Sequence, residues 1–94
     1  MTDETRYKKV YKYQGFLDST LMLPVDSNIV HALPDTDRGI LTIWAEVDHP
    51  ESGHQEPRNL RVVGTGHVIP DSWEHIATSV QPPYVWHVYE KPSA

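Results

Sequence analysis

Short runs of alternating hydrophobic and polar residues, broken by proline, glycine, aspartate and asparagine, dominate this chain. The clearest runs from Ile40 to Val47. It puts Leu41, Ile43, Ala45 and Val47 on one face of a strand and Ile40, Thr42, Trp44 and Glu46 on the other, so the first set is the expected core face. Similar reasoning predicts strands at about Arg6–Gln14, Ser19–Leu23, Asn28–Leu33, Arg58–Val63, His75–Val80 and Tyr84–Tyr89. Leu21, Leu23, Leu60 and Val62 are expected to point inward. The first two strands, separated by little more than Gly15, are expected to pair as a hairpin.

Between these runs the chain is built of turn formers. Pro34 to Gly39 reads as a turn, and Asp48 to Pro57 as a long polar surface loop. Asp71 with Glu74 makes a possible capping box, with room for one helical turn at most. The last strand differs from the others: Tyr84, Trp86 and Val88 occupy one face and Val85, His87 and Tyr89 the other, so it needs cover on both sides. The expected fold class is therefore all-β, a small antiparallel sandwich or partly open barrel of six to seven short strands. One domain spans residues 7–90, with a disordered tail over residues 1–6 and a C-terminal tail over residues 91–94.

Composition narrows the functional classes. The chain has 94 residues and no cysteine, so it has no thiolate metal site and no disulfide, which fits a reducing cytosol. No apolar stretch approaches the roughly 20 residues needed to cross a bilayer, and no membrane partner is expected. A net charge of −5 disfavours broad contact with nucleic acid. One local exception is the cluster of Arg6, Lys8, Lys9 and Lys12 interleaved with Tyr7, Tyr11 and Tyr13. Such a mixture stacks single-stranded bases in some proteins, but it also describes the solvated lysines of an edge strand.

Few residues suggest chemistry. Six histidines are present, yet neither the i, i+2 spacing of a strand nor the i, i+4 spacing of a helix groups them, so no metal or other cofactor is expected. No serine sits in a nucleophile elbow, and the acidic pairs Asp35/Asp37 and Asp71/Glu74 fall in turns, where acids serve local hydrogen bonding. The chain is not expected to be an enzyme. Gly64-Thr65-Gly66-His67 has the look of an anion-binding loop but lacks the third glycine, the lysine and the following helix of such motifs; a bulge or tight turn with unusual backbone angles is the alternative. Trp44, a large aromatic on an otherwise polar face, is a candidate binding anchor, and Trp86 and His87 of the last strand extend the list of aromatic contact residues.

Several segments together carry a resemblance. They are Tyr11-Lys12-Tyr13, Leu21-Met22-Leu23-Pro24, Leu41-Thr42-Ile43-Trp44-Ala45-Glu46-Val47, Arg61 to Pro70 through Gly64-Thr65-Gly66-His67, and Val85-Trp86-His87-Val88-Tyr89-Glu90. In these the chain resembles a family of small proteins encoded largely by bacteriophages, especially those of actinobacteria, and by prophages. The resemblance brings no activity with it. It implies a phage accessory protein in the cytoplasm of the infected bacterial host. The expected function is a non-enzymatic module that binds a host or phage protein. The alternatives are a protein that sequesters a small molecule or nucleotide, and a minor virion component. The doubly apolar last strand also makes a homo-oligomer an expectation.

Overall fold

Residues 4–92, described by a computed structural model, form seven strands and no helix: β1 (Tyr7–Phe16), β2 (Ser19–Pro24), β3 (Asn28–Asp35), β4 (Ile40–His49), β5 (Gln55–Gly64), β6 (Glu74–Gln81) and β7 (Tyr84–Lys91). They build two antiparallel sheets, a three-stranded one in the order β1-β4-β3 and a four-stranded one in the order β2-β5-β7-β6. The fold is a small sandwich, not a closed barrel. The tails expected over residues 1–6 and 91–94 lie partly outside the described residues; residues 4–6 carry no regular structure, and Lys91 is still part of β7.

The expected β1–β2 hairpin does not form. β1 pairs with β4, and β2 pairs with β5 in the opposite sheet. The reason lies at the corner between them. A Cβ on Gly15 would stand 2.7 Å from Leu21 Cδ2 and 2.9 Å from Ser19 Oγ, so the missing side chain lets β2 fold over β1 instead of beside it. Ser19 Oγ donates to the Phe16 carbonyl (2.8 Å), and the Asp18 carboxylate accepts from the Val62 amide (2.9 Å), tying the corner to β5. The loop expected from Asp48 to Pro57 is also shorter than its composition suggests, because β4 continues to His49 and β5 begins at Gln55. Pro57 is accommodated because it lies before Asn59, where the β5–β7 pairing starts, and so needs no amide on that side. At the expected capping box the chain makes a turn, with the Trp73 amide donating to the Pro70 carbonyl (3.2 Å), and Glu74 opens β6.

Leu23, Leu41, Ile43, Ala45, Leu60 and Val88 are fully buried between the sheets and, with Ala32 and Ala77, form the core. The alternation read in β4 is realised residue for residue. One end of the sandwich is closed by Arg58, whose guanidinium grips both carboxylate oxygens of Glu90 and donates to the Ser27 carbonyl (2.8 Å). Bidentate pairing of this kind holds an arginine that burial would otherwise penalise.

The molecule is elongated, 56 × 28 × 20 Å with a radius of gyration of 15.0 Å, against about 13 Å for a globular chain near this length. The first half of β1 projects past the core: Tyr7, Lys9 and Tyr11 belong to the inward-facing row opposite His49, Val47 and Ala45, yet all three are exposed.

Candidate functional site

The sequence candidates separate into two regions on different sheets. Trp44 lies in the middle of the outer face of the β1-β4-β3 sheet, directly between Lys12 on β1 and His31 on β3. Its indole stacks on the His31 imidazole, with ring centres 5.8 Å apart and planes 26° from parallel. Exposed Val10, Leu33 and Phe16 extend this face, and the second sheet packs only against its opposite side. Glu46, on the same face, accepts hydrogen bonds from Asn28 (2.9 Å) and from Lys8 (3.0 Å), which hold its carboxyl below the usual carboxylate range. Lys9 and Lys12 enter no ion pair among the described residues.

Beside this face runs an open edge. β1 is ten residues long and pairs with β4 alone; only its Gly15 end approaches β2. Arg6, Lys8, Lys9 and Lys12, on or next to this strand, are four of the eight basic residues of the chain, so a protein of net charge −5 carries a basic edge.

The second region gathers Gly64, Thr65, Gly66, His67, Trp86 and His87 at one end of the β2-β5-β7-β6 sheet. Gly64 to His67 is a tight turn: the His67 amide donates to the Gly64 carbonyl (3.3 Å), and Gly66 takes a φ of +92° at the third position, which calls for glycine. The tight turn expected here is present, and its unusual backbone angle falls at Gly66; Gly64 has no left-handed backbone. The Gly64 amide donates to His67 Nδ1 (3.2 Å), which uses an N–H that an anion cradle would present and places the proton of the neutral imidazole on Nε2.

On the outer face of this sheet a chain of side chains buttresses the turn. Thr65 Oγ1 lies 3.0 Å from His87 Nε2, Thr78 Oγ1 lies 3.0 Å from His87 Nδ1, and His75 Nε2 lies 2.8 Å from the same Thr78 oxygen. Both nitrogens of His87 are therefore engaged by hydroxyls. Tyr89 packs edge-on against His75 at 5.2 Å. The network includes two residues, His75 and Thr78, that the sequence did not single out for function. Their pairing with His87 follows from the β6–β7 register, which sets Thr78 opposite His87 and His75 opposite Tyr89.

Trp86 points the other way. It shares the inner row with Gly64 and Ser79, and near the end of the sandwich its indole meets Tyr84, ring centres 5.6 Å apart. With His67, Thr65 and Gly64 these rings line a cleft of about 530 Å³. Trp44, Trp86 and His87 thus belong to three different surfaces of the molecule: the outer face of the first sheet, the inner row of β7 and the outer row of β7. Among the described residues no group of three His, Asp or Glu side chains is placed to hold a metal ion.

Fold and surfaces define a small all-β sandwich with an open basic edge and one aromatic cleft. By its sequence the chain belongs to the family of the domain of unknown function DUF7352, whose model matches residues 6–94. No curated protein and no solved structure matches it.

Proposed function

We propose that the protein is a non-catalytic binding module that takes up an extended acidic segment of a partner protein as a further strand beside β1. The observation that carries this reading is the unpaired edge of β1, a long strand whose free backbone groups are available for strand addition. Charge selects the occupant. Two copies paired through this edge would bring two clusters of Lys8, Lys9 and Lys12 together, which disfavours a homodimer here and favours a partner strand bearing Asp or Glu. Trp44, reached across Lys12 from the edge, provides an aromatic anchor for side chains that turn onto the outer face. The resemblance to phage-encoded proteins supports a host protein, met in the cytoplasm of the infected bacterium, as that partner.

Capture from host lysate, followed by zero-length coupling of lysine amines to carboxylates, tests the reading. The expected result is cross-links from Lys8, Lys9 or Lys12 to acidic residues of one partner, with capture lost in the Lys9→Glu/Lys12→Glu variant and weakened in Trp44→Ala. Capture indifferent to both variants would remove β1 as the binding edge.

A further inference from the structure

We infer that the cleft between the Gly64–His67 turn and the β6–β7 end is a binding site for an uncharged, planar heteroaromatic ring of the nucleobase kind. This inference stands independently of partner binding at β1, on the other sheet.

Gly64 is the first reason. Neither its backbone angle nor a clash explains a glycine there: an added Cβ would meet His67 Cε1 at 3.5 Å and Trp86 Cζ3 at 3.6 Å, ordinary van der Waals distances. With no side chain there, the His67 and Trp86 rings both close on the backbone, and Gly64 itself lines the cleft. The space above it, about 530 Å³, lies within the roughly 300–1,000 Å³ of small-molecule sites.

The lining chooses the ligand. Trp86 and Tyr84, tilted 36° to one another, offer aromatic faces on which a flat ring stacks. No lysine or arginine lines the cleft to hold a phosphate, and no carboxylate to hold a cation. With Nδ1 of His67 accepting from the Gly64 amide, Nε2 carries the proton of the neutral ring and calls for an acceptor, such as the ring nitrogen or carbonyl of a nucleobase. The turn that carries His67 is fixed from behind by the Thr65–His87–Thr78–His75 chain, so the donor is held in place before a ligand arrives.

The test is a titration of the full chain with adenosine, followed by amide and indole N–H resonances, with inorganic phosphate and a short oligodeoxyadenylate as parallel arms. Adenosine is expected to shift the Trp86 indole and the Gly64–His67 amides saturably while leaving the Trp44 indole unmoved. Tyr84→Ala, at a side chain 60% exposed and so safe for folding, should weaken binding at least tenfold. Gly64→Leu, which pushes a side chain between the His67 and Trp86 rings that line the cleft, should abolish it with the remaining spectrum retained. Shifts with phosphate alone, binding of the oligonucleotide but not adenosine, or no shift at Trp86 in any arm would each overturn the inference.

Discussion

An alanine at Gly66 would have to hold a φ of +92°, whereas an alanine at Gly64 would enter a site where its methyl makes only ordinary contacts. Gly66→Ala is therefore expected to cost about 1 kcal/mol or somewhat more, and Gly64→Ala less than half of that. Thermal unfolding of the two variants side by side checks the difference. Gly15→Ala meets a third situation, a Cβ 2.7 Å from Leu21 Cδ2 where two sheets cross. Overpacking there should cost about 1 kcal/mol and lower the melting temperature by about 4–8 °C. Sequence marked all three glycines as breaks in pattern but could not distinguish them, because the distinction rests on what packs against each one. Likewise Thr78 and His75 show no local signature. They reach His87 only through the β6–β7 register, which no spacing along the chain announces.

Strands fared differently. The alternation that placed Leu41, Ile43, Ala45 and Val47 inward depends only on the two-residue period of an extended chain, and it is met in full. Which strand lies beside which is a matter of long-range pairing, and there the expected β1–β2 hairpin gave way to β1–β4 and β2–β5. Two side-chain clusters reveal how the elements are held. Arg58 joins β5 to Glu90 of β7 and to the β2–β3 turn through Ser27, so Glu90→Ala takes away its bidentate partner and leaves Glu56, 3.9 Å away, as its nearest carboxylate. A loss of about 2 kcal/mol is expected in denaturant unfolding. On the open face, Asn28 and Lys8 lower the Glu46 carboxyl. The folded state then binds that proton less readily than the unfolded state. The resulting stability is present above the ordinary carboxylate range near 4.5 and is lost as pH falls through the lowered value. Glu46→Gln should flatten that part of the acid unfolding profile, and an unchanged profile would show that the Asn28 and Lys8 contacts are not maintained in solution.

At the scale of the molecule, sequence composition gave a net acidic chain, and the fold turns that average into an asymmetry. Half of the basic residues lie on or next to one edge strand, whose first half the core does not cover. Attraction between that edge and an acidic strand should weaken with ionic strength, while binding in the uncharged aromatic cleft should not. If β1 is the edge to which a partner adds, hydrogen exchange will register it when the protein alone is compared with the protein bound to its captured partner. New protection of backbone amides is expected across Tyr7–Tyr13, with β6 and β7 unchanged. Protection confined to β6, β7 or the Gly64–His67 turn, with β1 exchanging as freely as before, would contradict it.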